Sequence, residues 1–74
     1  MKTESVSVAK FPIRLGQFLK HACIVSDGYE GKILITNGQV SVNGVPENRR
    51  GRQLFAGDTI LVGDILYECT AIIQ

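Results

Sequence analysis

The sequence predicts an α+β fold in which two packed helices are followed by a small antiparallel sheet. Two segments between residues 14 and 36 show apolar residues at helical spacing, and strand-like alternation with turn signals begins at residue 39. The chain has 74 residues, of which 45% are hydrophobic and 20% are charged. A chain of this size and composition is expected to form a single globular domain over residues 1–74.

The first helix is predicted from about Arg14 to Cys23. Its apolar residues follow the i, i+3, i+4, i+7, i+8 spacing of one buried stripe, namely Leu15, Phe18, Leu19, Ala22 and Cys23. Cys23 and Cys69 both stand in apolar surroundings, so we expect buried, reduced thiols. His21 falls on the outer side of this helix, and no acid–base partner is placed beside it by the sequence. We therefore expect it to be exposed or half-buried and not catalytic.

The second helix is predicted from Gly28 to Thr36. Either Ser26 or Asp27 can serve as its N-cap, and Asp27 with Glu30 has the spacing of a capping box. An Asn-Gly pair at 37–38 ends it, because both residues tolerate the left-handed conformation common at helix C-termini. The residues predicted to face inward are Gly31, Leu34 and Ile35. A glycine inside a helix is unfavourable, so its presence predicts a close approach to the first helix.

One predicted strand precedes the two helices in the chain, and three follow them. They cover residues 5–8, 39–42, 59–62 and 65–73. The Asn43-Gly44 pair is the strongest hairpin signal, since both residues accept the positive φ angles of a two-residue hairpin turn.

The net charge of +1 is unevenly distributed. Residues 10–52 contain seven basic and three acidic residues, a balance of +4, whereas residues 53–74 contain three acidic residues and no basic one. If the helices pack as predicted, Arg14, Lys20 and Lys32 share one side of the molecule with the arginines near residue 50. The acidic C-terminal part is then expected to face away from that side.

Arg49, Arg50 and Arg52 form the densest basic cluster. Guanidinium groups match phosphate oxygens, and three held together repel one another unless an anion or acidic group compensates. Gly51 within the cluster allows close approach of a ligand backbone. The alternative is a solvated loop whose arginines pair with Glu47 and the acidic C-terminal residues. The sequence leaves both interpretations open.

Several function classes are excluded by what the sequence lacks. No apolar run approaches the roughly 18 residues of a membrane span, and residues 1–10 lack the apolar core of a signal peptide. No glycine-rich phosphate loop or clustered set of metal ligands is present. We therefore expect a cytoplasmic, monomeric binding protein with no cofactor, no metal and no membrane partner.

Three motifs, in order, resemble the RNA-binding domain named after ribosomal protein S-four. In outline, that family reads R-L-D-x-x-L, then a second helix, then G-x-V-x-V-N-G and a G-D-x-I strand. The corresponding stretches here are residues 14–19, 38–44 and 56–60, and the resemblance covers about residues 13–62. The Arg-rich run at 48–52 is most similar to the small stand-alone bacterial members of the family, the YaaA/YbcJ type.

The resemblance implies a non-catalytic protein that binds structured RNA, ribosomal RNA in particular, with a role in ribosome association or large-subunit assembly. With the charge distribution, it predicts the RNA-binding residues Arg14, Lys20, Lys32, Arg49, Arg50 and Arg52. Two positions depart from the family pattern. Gly16 replaces the usual aspartate, and Asp27 stands where many members have an arginine. The rival hypothesis is a protein-interaction adaptor that uses the acidic C-terminal strands, although an adaptor has no need of the arginine cluster.

Overall fold

The computed structural model describes residues 2–72 and confirms the predicted α+β class. In chain order the elements are β1 (Lys2–Val8), β2 (Ile13–Arg14), α1 (Leu15–His21), α2 (Gly28–Thr36), β3 (Val40–Val42), β4 (Val45–Pro46), β5 (Gln53–Leu54), β6 (Thr59–Val62) and β7 (Ile65–Ala71). The predicted end of the last strand, at Ile73, lies outside the described residues.

The main sheet has five strands in the order β1-β7-β6-β3-β4. Neighbours among β7, β6, β3 and β4 are antiparallel as predicted, but β1 pairs with β7 in parallel, from Lys2 opposite Ile65 to Val8 opposite Ala71. The sheet is therefore mixed rather than wholly antiparallel. A parallel pair needs a long crossover connection, and the chain between β1 and β7 supplies it. The alternation in residues 5–8 predicts a strand but does not specify its partner.

Helix α1 ends at His21, two residues before the predicted end. Cys23 takes a φ of 59°, and the amide of Ile24 turns back to donate to the carbonyl oxygen of Leu19 at 2.9 Å. Cys23 is consequently exposed, so its predicted burial was wrong. Cys69 is buried as predicted, and burial raises the pKa of its thiol to about 11.

Helix α2 has the predicted bounds because local signals specify both ends. Asp27 is the N-cap, and its Oδ1 accepts from the amide of Glu30 at 2.8 Å. Gly31 is buried, and a Cβ atom there would lie 3.6 Å from Val25 and 3.9 Å from Leu19 of α1. A Cβ atom would therefore be in ordinary van der Waals contact with both side chains, so the packing does not require the glycine that the sequence analysis had attributed to a close approach of the helices.

The turn between β3 and β4 has the predicted Asn-Gly hairpin geometry. Asn43 and Gly44 have φ angles of 51° and 84°, which are the positive values of a type I′ turn. The side chain of Asn43 accepts from the amide of Thr59 at 2.9 Å and donates to Asp58 Oδ1 at 3.1 Å. It therefore ties this turn to the start of β6.

The hydrophobic core lies between the two helices and the inner face of the sheet. Its fully enclosed side chains are Leu15, Phe18, Leu19, Ile35, Val40, Val42, Leu54, Ile60 and Cys69. Val8 and Tyr67 also belong to the core, so packing extends beyond residues 13–62 on both sides. None of the helices within residues 2–72 is long and apolar enough to cross a membrane.

Candidate nucleic-acid interface

The arginine cluster lies on the connection between β4 and β5, here called the basic loop (residues 47–52). Its backbone is hydrogen-bonded to the start of α1. The amide of Leu15 donates to the carbonyl oxygen of Arg52 at 2.8 Å, and the amide of Gly16 donates to the carbonyl oxygen of Arg50 at 3.0 Å. The first amides of a helix have no partner within the helix. The loop satisfies two of them and is thereby held beside α1.

The buried carboxylate of Glu47 holds two arginines of the basic loop in place. Glu47 is only 7% exposed and receives hydrogen bonds from Arg49 Nε at 3.0 Å and Arg52 Nη1 at 2.8 Å. These bonds hold the pKa of Glu47 at about 2, because their stabilisation of the carboxylate outweighs the opposing effect of burial. The pairing with Glu47 that the sequence left open is therefore present for Arg49 and Arg52.

Arg50 points elsewhere and contributes to a separate open groove of about 530 Å³, which we call the first groove. Its lining residues are Arg14, Gly16, Gln17, Lys20, Gly28, Arg50 and Gly51. The lining contains three cations and no carboxylate. Within residues 2–72, none of these three side chains forms an ion pair. Such a groove attracts anions, and its arginines suit the oxygens of phosphate groups.

Lys32, also predicted to bind RNA, does not line the first groove. It is exposed on α2, one helical turn after Gly28, which does line the groove. Residues four apart lie on the same side of a helix, so Lys32 follows Gly28 along that side of α2.

Arg49 and Arg52 line a second groove of about 710 Å³. The other residues of this second groove are Gly51, Gln53, Phe55 and Asp58. Gly51 belongs to both grooves, which therefore meet at this residue. Asp58 is one of the C-terminal acidic residues that we expected to face away from the cationic side. For Asp58 that expectation was wrong, because the turn before β6 folds back beside the basic loop.

Two exposed aromatic side chains were not singled out from the sequence. Tyr29 on α2 is 73% exposed, and Phe55 is 52% exposed. No sequence signal indicated the exposure of Phe55, because β5 ends at Leu54 and the two residues form one apolar pair in the sequence.

His21 is exposed, as expected, and it lies outside both grooves. Its Nε2 donates to the carbonyl oxygen of Ser7 at 2.7 Å. This bond ties the end of α1 to β1, which gives the histidine a structural role.

The two departures from the family pattern have physical consequences. Asp27 caps α2, a function that an arginine cannot perform because it has no acceptor. At Gly16, a Cβ atom would lie 3.7 Å from Arg50 Cβ. A Cβ atom therefore fits there in ordinary van der Waals contact, and with glycine this position adds no carboxylate to the first groove.

Comparison with known proteins agrees with this architecture. The family model described as "S4 domain" matches residues 6–70. A Bacillus subtilis (strain 168) protein named "Probable ribosome maturation protein RlbA" is 42% identical over 55 residues, which cover 74% of this chain and 78% of that protein. This chain belongs to the S4 domain family of RNA-binding proteins.

Proposed function

We propose that this protein binds structured RNA, ribosomal RNA in particular, through the first groove, and acts without catalysis in ribosome association or large-subunit assembly in the cytoplasm. The observation that carries the proposal is the convergence of Arg14, Lys20 and Arg50 on one groove whose lining has no carboxylate. Family membership supports RNA as the ligand. The relative named as a ribosome maturation protein supports the ribosomal role.

Binding would depend mainly on contacts with the RNA backbone. Phosphates of a folded RNA enter the first groove, where arginine forks bind their oxygens and the lysine contributes a point charge. Lys32 extends this contact along α2. Arg49 keeps its side chain 70% exposed while bonded to Glu47, so it can contact the RNA without leaving its carboxylate partner. Selectivity then comes from the shape of the RNA more than from its base sequence.

The test is the salt dependence of RNA binding. Each neutralised phosphate releases counterions, so removal of one phosphate-binding cation reduces the magnitude of the negative slope of log affinity against log salt by about one. We expect Arg14→Ala with Arg50→Ala to weaken binding to a ribosomal RNA hairpin and to reduce the magnitude of this slope by about two. Lys10→Ala is the matched control, because Lys10 is exposed and lines neither groove. An unchanged slope in the double variant would contradict the proposal.

The ribosomal part of the proposal has its own test. We expect the wild-type protein to sediment with ribosomal particles in a gradient, and Arg14→Glu with Arg50→Glu to move it to the top fractions. Wild-type protein found only at the top would argue against a ribosomal role.

The adaptor hypothesis has less structural support. The carboxylate of Asp58 accepts from Asn43 and from the amide of Phe55, and Asp58 and Asp64 lie at opposite ends of β6. A protein complex that survives nuclease treatment and requires Asp64 and Glu68 would favour the adaptor instead.

A further inference from the structure

We propose that the second groove binds one unpaired base of the RNA, stacked on the ring of Phe55. The ligand would thus be a folded RNA in which an unpaired nucleotide adjoins a stem. This inference rests on the proposed function, since the stem backbone occupies the first groove while the base enters the second.

The charges of the two grooves favour different parts of a nucleotide. The first groove has three cations without a compensating carboxylate. In the second groove, Arg49 and Arg52 are balanced by Asp58 in the lining and by Glu47, which bonds to both arginines. These two positive and two negative charges cancel, so the second groove attracts a phosphate only weakly. A neutral, flat and polar-edged ring suits this groove better, because a base can stack on an aromatic face and receive hydrogen bonds from arginine.

The backbone at Phe55 is held by hydrogen bonds before any ligand arrives. Its amide donates to Asp58 Oδ2 at 2.8 Å, and the amide of Asp58 donates back to the carbonyl of Phe55 at 3.0 Å. The preceding residue, Leu54, is fully buried and anchors the segment in the core. A half-exposed aromatic ring on a locked turn provides a stacking platform that loses little conformational entropy on binding.

The meeting of the grooves at Gly51 allows one RNA strand to use both. A Cβ atom at Gly51 would have no heavy atom within 4 Å, so the space above this residue is open. A backbone whose phosphates contact Arg50 can pass over the glycine and direct the next base toward Phe55. Tyr29 is more exposed than Phe55 but lines neither groove, so it serves as a control aromatic.

The test compares three RNA hairpins with the same stem: one with a single bulged adenosine, one with an abasic nucleotide in the bulge, and one fully paired. The bulged and abasic hairpins carry the same phosphates, so their affinities differ only through the base. We expect the wild-type protein to bind the bulged adenosine about tenfold more tightly than the abasic bulge, at an equal salt slope. Phe55→Ala should abolish this preference, Phe55→Tyr should retain it, and Tyr29→Ala should leave it unchanged.

Failure of this inference can be distinguished from failure of the proposed function. Equal wild-type affinity for the bulged and abasic hairpins, or a preference that persists in Phe55→Ala, overturns base stacking at Phe55. Neither result changes the salt slope that depends on Arg14 and Arg50. Loss of that slope dependence for all three hairpins overturns the proposed function itself. Circular dichroism of Phe55→Ala confirms that the compared variant is folded.

Discussion

The backbone amide of Gly16 donates to the carbonyl oxygen of Arg50 at 3.0 Å. This bond joins the first turn of α1 to the basic loop, two segments that are far apart in the chain. It places Arg50 beside Arg14 independently of either side chain. The geometry of the cationic surface therefore depends on the backbone of the fold, while Glu47 determines how the neighbouring arginines are held.

Glu47→Gln is expected to destabilise the fold by about 1–3 kcal/mol, because the neutral amide loses charge-assisted bonds from Arg49 and Arg52 at a buried position. The free energy of unfolding in urea measures this loss. Glu68→Gln is the matched control, since Glu68 is exposed on β7, and a surface change of this kind stays within about 0.5 kcal/mol. Equal stability of the two variants would contradict a structural role for Glu47.

Stability should also depend on pH through Glu47. Its pKa is about 2 in the folded protein and 4.5 when unperturbed, so the unfolded chain binds the proton more readily. The contribution of Glu47 is therefore complete above about pH 4.5 and is lost as pH falls toward 2. We expect the difference in urea midpoint between the wild type and Glu47→Gln to shrink across this range. A difference that stays constant from pH 5 to about pH 2 would show that the carboxylate is not held by the arginines.

Substitution of Arg50 or Arg52, both in the basic loop, should affect RNA binding and stability separately. Arg52→Ala leaves the buried Glu47 without its 2.8 Å partner and should lower the melting temperature. Arg50 forms no ion pair within residues 2–72, so Arg50→Ala should leave the melting temperature unchanged and weaken RNA binding. Thermal unfolding and RNA titration on both variants measure the two effects. A lowered melting temperature in Arg50→Ala would contradict the assignment of Arg50 to the ligand.

Asn43→Ala should destabilise the protein by about 2–3 kcal/mol. Alanine is strained at the positive φ of this position, and the change removes the side-chain bonds to Asp58 and Thr59. Asn48→Ala is the control, because Asn48 is exposed on the basic loop. Urea unfolding of both variants tests this expectation, and a loss below about 0.5 kcal/mol at Asn43 would count against it.

The elements that sequence analysis predicted well are those specified by neighbouring residues. The bounds of α2 follow from an N-cap at Asp27 and an Asn-Gly end, and the β3–β4 turn follows from Asn43-Gly44. The apolar stripe of α1 correctly placed Leu15, Phe18 and Leu19 in the core. Periodicity could not show that the chain would reverse at Cys23, because that reversal uses a left-handed residue with no glycine to signal it.

The sequence predicted which residues belong to the candidate site but not how they are arranged in space. Its six cations were named from charge clustering and the family resemblance, yet nothing in the sequence places three of them in one groove, two in another and Lys32 outside both. This arrangement depends on Glu47, because its buried carboxylate forms ion pairs with Arg49 and Arg52 but not with Arg50. Whether these cations bind RNA stays a prediction for the experiments above.

The sequence by itself determined the α+β class, the helix starts and the concentration of positive charge, because capping, periodicity and turn geometry act over a few neighbouring residues. Only the tertiary structure decided the parallel pairing of β1 with β7, the exposure of Phe55 and the balance of charge in each groove. These features arise where distant segments meet. Burial and ion pairing depend on what the fold places within a few ångströms of a side chain, and local sequence does not encode that distance.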